Sequence, residues 1–555
     1  MSVAAVPQPE GAEHPARAAQ VCNLARLLSQ TARLFPDHIA LIHGEQRWTW
    51  AEIDGRVDAV VAALSALGLK RGDRILVQSR NNLAMFESAW AAFRMGCVWV
   101  PTNFRLAPAE VAFLGESSGA VVMLVEPVFA AHVEAVQRAS TALRHVVWIR
   151  PQADATPSPA ADQHDYETLV RRHLGAAAAE AVVAQDDPLW FFYTSGTTGR
   201  PKAAILTHGQ MGFVVTNHLA DLIPGTDERD CSIAVAPLSH GAGIHALLNV
   251  ARGAATVMMP GEKLAPALFW QLVQQHRVSN LFTVPTIVKL LVEHPAVDQF
   301  DHSSLRFVIY AGAPMYRADQ RLALQKLGPV LVQYFGLGEV TGCITVLPAH
   351  MHSADDTSPD AHIGSCGKPR TGMEVAILAA DLSPMPAGEV GEICVRGPAV
   401  FAGYFNNPEA TARALRGGWF HTGDLGKLDA RGLLSITGRE SDMYISGGSN
   451  VYPIEAEEVL LAHPGVAEVA VLGVPDRQWG EVGVAVVVRR IDSVEALLDE
   501  AALLAWLDGR LARYRLPRRV IFWDSLPKSG YGKITKNDVR ARLLERGEVP
   551  PVQAD

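Results

Sequence analysis

The segment FFYTSGTTGRPKAAILTH, residues 191–208, carries the densest set of groups able to hold an anion. Thr194, Ser195, Thr197 and Thr198 bring hydroxyls, and Lys202 brings a positive charge. Gly196 and Gly199 let the backbone fold closely, so that free N–H groups can point at phosphate oxygens. The residues before it read as a strand and those after it as a helix. The plain alternative is a pliant Ser/Thr/Gly connection. It is not the GxxxxGK[ST] phosphate loop, since its lysine follows Gly-x-Pro and is itself followed by no Ser or Thr.

The elements that must position such a loop are legible on both sides of it. RILVQ (74–78), VVMLV (121–125), VVWI (146–149), WFFYT (190–194), IAVA (233–236), TVMM (256–259), LFTV (281–284) and FVIY (307–310) read as buried strands. Helix-length stretches at 86–95, 265–276 and 318–327 alternate with them, which argues for βα units and largely parallel sheets. Residues 151–186, rich in Ala, Pro and Asp, read as a surface excursion. From about 372 shorter strands (VAIL, EICV) separated by Gly and Pro suggest a small β subdomain or barrel. A last unit follows, with a helix near 455–462, strands near 466–473 and 483–488, a helix near 497–512 and a strand near 519–523. The fold expected is α/β: a large N-terminal body of parallel βα sheets with a small β-barrel subdomain, then a small α+β C-terminal domain.

Composition narrows the function classes. Hydrophobic residues are 49% and charged residues 19% of 555, too apolar for a disordered chain. With 49 basic and 58 acidic side chains the net charge is −9, which argues against a general nucleic-acid binder. The six cysteines are scattered, with no CxxC and no zinc spacing, as expected of thiols in a reducing cytoplasm. MSVAAVPQPEGAEHPARAAQ lacks the apolar centre of a signal peptide and reads as a loose extension. Residues 203–220 and 231–251 carry no Asp, Glu, Lys or Arg. They do contain His208, Asn217, Pro237, Gly241 and Gly243, so they read as buried protein segments rather than membrane spans.

YTSGTTGRPK closely resembles the signature of the acyl-adenylate-forming superfamily, which includes acyl-CoA synthetases, luciferases and adenylation domains of peptide synthetases. The resemblance covers nearly the whole chain. WTWAEIDGRV (48–57), GCVWVPTN (96–103), GEICVRGPAVFAGYFNNPEAT (391–411), GWFHTGDLG (418–426), TGRESDMYISGGSNVYPIEAE (437–457) and LPKSGYGK (526–533) follow in the family's order. It implies an AMP-forming acid–CoA ligase using ATP, Mg²⁺ and coenzyme A. The implied organisation is an extension (1–20), an adenylation domain (21–438), a hinge (439–443) and a mobile domain (444–555). A homodimer is open as an alternative to a monomer.

The resemblance also implies residue roles. The loop Thr194–Gly199 with Lys202 would hold ATP phosphates, Glu339 and Thr198 the Mg²⁺. Gly312, Ala313 and Pro314, with Tyr334, Phe335 and Gly336, would frame the adenine. Asp424 would accept the ribose hydroxyls, and Arg439 would reach ribose or phosphate. Lys533 would be the catalytic lysine, offsetting the repulsion between an anionic carboxylate and a triphosphate. His240 would lie between acyl pocket and thiol tunnel, and Gly447 and Gly448 would let pantetheine pass. Segment 231–251 lacks the carboxylate that pairs an amino-acid ammonium, which favours an apolar acid. Ile233, Val235, Leu238, Ile244, Leu247 and Leu248 are candidate lining or core residues. The basic run Arg510, Arg513, Arg515, Arg518 and Arg519 fits either CoA phosphates or a solvated face.

Two positions depart from the pattern. Gly338 stands where the family has a threonine donating to the α-phosphate, a charge-assisted bond worth roughly 1.5–3 kcal/mol. Thr341 or a water is the candidate replacement. Ser441 stands where the hinge usually has Asp or Lys. Alternatives to the CoA ligase are an acyl-AMP ligase loading a carrier protein, and a nucleotide-binding protein that has lost catalysis.

Overall fold

The computed structural model describes residues 20–150, 162–194, 200–261, 263–313, 315–359, 361–490, 498–528 and 534–549. Ser195, Gly196, Thr197, Thr198, Gly199, Pro314 and Lys533 lie outside the described residues, as does most of the N-terminal extension.

Two large sheets make the N-terminal body. One has seven strands, in the order 202–207, 188–194, 98–101, 74–78, 122–125, 145–148 and 163–165. Every pair in it is parallel except Pro188–Thr194 with Lys202–Thr207, which run antiparallel. The other has nine strands, whose six central members are parallel and whose outer members are antiparallel at both ends. Strands buried on both faces carry continuous apolar runs, as the sequence pattern required. The helices predicted at 86–95, 265–276 and 318–327 are Leu83–Met95, Pro266–His276 and Arg317–Leu327.

Three expectations change. The residues after the phosphate-loop segment form the strand Lys202–Thr207, and the helix begins only at His208, with Thr207 and Gln210 as a reciprocal cap. Thr194 pairs with Lys202, so the intervening loop leaves and re-enters the sheet at adjacent positions. Within 151–186, the strand Gln163–Asp165 closes the sheet edge and helix Tyr166–His173 packs its Tyr166 hydroxyl on buried Glu87, so this stretch is partly core. The β-rich stretch is an open antiparallel sheet of four strands, 374–378, 391–396, 420–428 and 434–439. Among the described residues its two edges do not pair, so the expected barrel is not closed.

After Arg439 a turn leads into a separate small α+β domain. Its sheet orders 449–451, 444–446, 480–489 and 466–476, with 519–522 added in parallel to 480–489. Helices Pro453–Leu461 and Glu500–Leu507 cover one side, and Lys536–Glu545 packs its Val539 and Leu543 against a second apolar cluster. No helix among the described residues is long and apolar enough to cross a membrane.

Candidate functional site

The site forms where the strand ends of both large sheets meet the four-stranded sheet. Strand Leu331–Phe335 runs into a tight turn holding Glu339, which is buried. The Thr194 hydroxyl donates to Glu339 Oε1 at 2.8 Å, and the Tyr404 hydroxyl donates to the same oxygen at 2.9 Å. The backbone is pinned as well, since Phe401 N–H donates to the Glu339 carbonyl at 2.8 Å. Burial and the neighbouring Glu339 push the Tyr404 phenol well above its ordinary range, so it stays protonated and remains a donor. Among the described residues no donor is directed at Oε2. A fixed carboxylate with one oxygen uncommitted suits a hard cation such as Mg²⁺.

Tyr404 was not singled out from the sequence, although its motif was. Its place comes from residues 402–405 zippering onto strand Lys202–Thr207: Ala402 N–H donates to the Ile205 carbonyl, Ile205 N–H to Gly403, and Phe405 N–H to Ala203. The ring lies beneath Lys202, whose Nζ is 5.2 Å from its centroid. Tyr404 therefore links the cation and the carboxylate of the site.

Gly338 is a glycine for a steric reason. A Cβ there would lie 2.7 Å from the Phe192 ring and 2.8 Å from the Thr194 methyl. Gly336 likewise sits against the backbone of Gly342, 2.4 Å from where its Cβ would be. Thr341, the candidate replacement, lies just past Glu339 in the same turn. It adopts a left-handed conformation (φ 50°) and is buried, and its hydroxyl has no partner among the described residues.

His240 caps the helix Gly241–Arg252, and its Nδ1 lies 2.8 Å from the Ser239 carbonyl, so Nδ1 carries the proton. Its ring packs on Phe192, with centroids 4.6 Å apart. Asn81, which sequence reasoning passed over, clamps the loop before it. Its side chain donates to the Ala236 carbonyl and accepts from Leu238 N–H, both at 2.9 Å. The neighbouring Asn82 is the cap of helix Leu83–Met95, and an Asn-Asn pair reads only as such a cap. Gly241 and Gly243 permit close approach, since Cβ atoms would meet the Phe282 ring at 2.6 Å and the Leu238 carbonyl at 1.9 Å. Of the candidate apolar residues, Ile233 and Leu248 are plain core, while Leu238 and Leu247 line a small cavity with Trp90, Trp99 and Trp190.

Tyr334 stacks on Phe282 with centroids 5.7 Å apart, and Phe335 is half-buried at the strand end. Gly312, at φ 84°, and Ala313 follow the end of the adjacent strand Phe307–Tyr310. Asp424 is buried and pairs with Arg439, its cross-strand neighbour, with Nε to Oδ1 at 3.0 Å. Arg439 is thus directed at Asp424. Gly447 and Gly448 occupy the two-residue loop of the hairpin 444–451, at φ 56° and 81°. Both need the left-handed region, which explains the Gly-Gly pair. A Cβ on Gly447 would also meet the Trp479 ring at 2.7 Å. Arg515 pairs with Glu455, and Arg510 lies over Trp506, so part of the basic run is spoken for locally.

Comparison with known proteins identifies the family. The family model for the AMP-binding enzyme matches residues 28–405, and that for the AMP-binding enzyme C-terminal domain matches 455–533. A feruloyl-CoA synthase of Amycolatopsis sp is 38% identical over 514 residues, covering 92% of this chain and 97% of the relative. An indoleacetate–CoA ligase of Aromatoleum aromaticum is 34% identical over 525 residues, covering 94% and 99%. Among solved structures, ATP-bound MatB from Rhodopseudomonas palustris superposes with a TM-score of 0.81 at 29% identity, covering 94% of this chain and 99% of that one.

Proposed function

This chain belongs to the AMP-binding enzyme family, and we propose that it is an AMP-forming ligase joining an apolar, fatty or aromatic carboxylic acid to coenzyme A. The observation that carries the reading is the Glu339 centre. It is a buried carboxylate held on one oxygen by Thr194 and Tyr404, at the mouth of a phosphate-binding hairpin.

In the first half-reaction the acid's carboxylate oxygen attacks the α-phosphorus of ATP and pyrophosphate leaves. The thiol of CoA then attacks the acyl carbon, AMP leaves and a thioester remains. Glu339 and Thr198 would hold Mg²⁺, which would supply positive charge against the triphosphate. Lys202 and the loop Thr194–Gly199 orient the phosphates, with Gly312, Ala313, Pro314 and Phe335 around the adenine. Asp424, oriented by Arg439, receives the ribose hydroxyls. Lys533 supplies positive charge to the first step. The domain beyond residues 439–443 then turns, withdrawing Lys533 and bringing Gly447 and Gly448 to the adenylate. The names of the relatives, feruloyl-CoA synthase and indoleacetate–CoA ligase, favour an aromatic acid.

The test is acid-dependent exchange of pyrophosphate into ATP across a panel of fatty and aromatic acids, followed by CoA-dependent release of AMP. Exchange without CoA-dependent release, restored by a carrier protein, identifies the acyl-AMP ligase. Tight AMP binding with no exchange for any acid sinks the enzyme reading. Lys533→Ala is expected to abolish exchange while preformed acyl-AMP still reacts with CoA; equal loss in both halves refutes domain alternation.

A further inference from the structure

The departure at Gly338 has a counterpart on another strand. Phe192 lies on Pro188–Thr194, two residues before Thr194, and its ring fills the volume a side chain at 338 would occupy. The same ring is one step in an aromatic column. Trp99 and Trp190 are 4.6 Å apart, Trp190 and Phe192 5.5 Å, and Phe192 and His240 4.6 Å. The column runs from the buried interior to the rim of the site. Phe192 and Trp190 are buried, while His240 is half-buried at the column's outer end. Asn81 fixes the backbone before His240, and the Ser239 carbonyl fixes its tautomer, but among the described residues Phe192 is the ring that supports the imidazole face.

We propose that Gly338 and Phe192 form one coupled unit: the Phe192 ring takes the place of a residue-338 side chain and holds the His240 ring at the edge of the site. Phe192 is then a positioning residue for acyl transfer, acting through His240. The missing donor at 338 is the consequence of that arrangement, and a single substitution at 338 does not restore it. Any side chain there first displaces Phe192, because Thr194 on the other side is anchored by its bond to Glu339. The inference that this unit serves acyl transfer rests on the ligase reading; the coupling itself does not.

Four proteins test it: the parent, Gly338→Ala, Phe192→Val, and Phe192→Val with Gly338→Ala. Each is measured for pyrophosphate exchange, for transfer from preformed acyl-AMP to CoA, and for unfolding temperature. Gly338→Ala is expected to cost about tenfold or more in exchange when Phe192 is present, and about threefold or less in the Phe192→Val background. Phe192→Val alone is expected to slow transfer to CoA at least about fivefold more than it slows exchange. If Gly338→Ala does not fold, recovery of folded protein and of unfolding temperature in the double variant reads the same coupling. An equal penalty for Gly338→Ala in both backgrounds overturns the coupling. Equal slowing of both half-reactions by Phe192→Val overturns the positioning role. A parent with no exchange for any acid overturns the ligase reading instead, and the unfolding temperatures still decide the coupling.

Discussion

The Glu339 centre and the Gly447–Gly448 hairpin sit in the large N-terminal body and in the small C-terminal domain, and they are built in opposite ways. Glu339 is buried and tied to strand 188–194 through Thr194 and to segment 401–405 through Phe401 and Tyr404. Displacing it breaks contacts with two distant stretches of chain at once. The glycine hairpin is a two-residue loop beside Trp479, which is 40% exposed, and Gly448 has open space around it. The link between the parts is equally light. Residues 440–443 form a turn in which Glu440 N–H donates to the Gly423 carbonyl, Asp442 and Met443 N–H both donate to the Arg439 carbonyl, and the Ser441 hydroxyl donates to Asp442. Under the proposed mechanism Glu339, which would meet the triphosphate, is over-determined, whereas the hairpin that would arrive and leave is held by its strand pairing and one bond from Gly447 N–H to the Trp479 carbonyl.

Breaking the fixed side gives the largest effect. Glu339→Ala removes the carboxylate on which both donors converge, and exchange is expected to fall about 10²–10³-fold, as for other preorganised electrostatic groups. Transfer from preformed acyl-AMP, which involves no triphosphate, is expected to change by less than about fivefold. A parallel collapse of both half-reactions breaks the contrast.

The glycine hairpin sharpens it from the other side. Gly447→Ala combines a left-handed φ with a 2.7 Å approach to Trp479, while Gly448→Ala has the φ penalty alone. A non-glycine residue in this region costs roughly 1–2 kcal/mol. Acyl transfer is therefore expected to fall about tenfold or more for Gly447→Ala and several-fold less for Gly448→Ala, with exchange unchanged in both. Rank reversal of the two variants excludes the Trp479 contact as the cause. Tyr404→Phe comes next. It removes one of two donors to Glu339, about 1.5 kcal/mol, and is expected to raise the KM for MgATP about tenfold with little change in acid KM.

How much of this was legible follows the same division. Thr194, Glu339, Asp424 and the Gly-Gly pair stand in motifs whose order along the chain is itself the signal, and the parallel strands declare themselves as apolar runs between turns. Strand Lys202–Thr207 did not, because AAILT is a short apolar run that fits a strand or a buried helix start equally well. Tyr404 and Phe192 acquire their roles by contacts more than 60 residues away in the chain, Glu339 for one and Gly338 for the other. Local pattern carries no trace of those pairings. The departure at 338 was visible as an anomaly; only packing gives its reason.

Acid provides the gentlest way to separate the two parts. His208, His245 and His352 are each held near a pKa of about 4, chiefly by burial, and all three lie before residue 439. His245, for example, lies on the buried face of helix Gly241–Arg252 with Nε2 on the Asn280 side chain at 2.7 Å. Their folded values lie below the unfolded value of about 6.5, so between these limits the unfolded chain binds more protons. Their contribution is complete above about pH 6.5 and is lost as pH falls toward 4. At pH 5 the three together remove at most about 6 kcal/mol. Glu87 and Asp58, raised by burial in the same body, take up protons in the folded state and offset part of that. Beyond residue 443 the chain has one histidine, His463, and the exposed Glu458, whose raised pKa makes acid mildly stabilising there. Calorimetry of the full chain at pH 7.5 and pH 5 is therefore expected to lower the transition with the larger enthalpy, that of the N-terminal body, and to leave the smaller one nearly in place. Replacing His245 with Asn is expected to remove only part of the acid shift, the rest being carried by His208, His352 and His218, whose pKa burial also pushes down. A smaller transition that moves as far as the larger one refutes the assignment of acid sensitivity to these buried imidazoles.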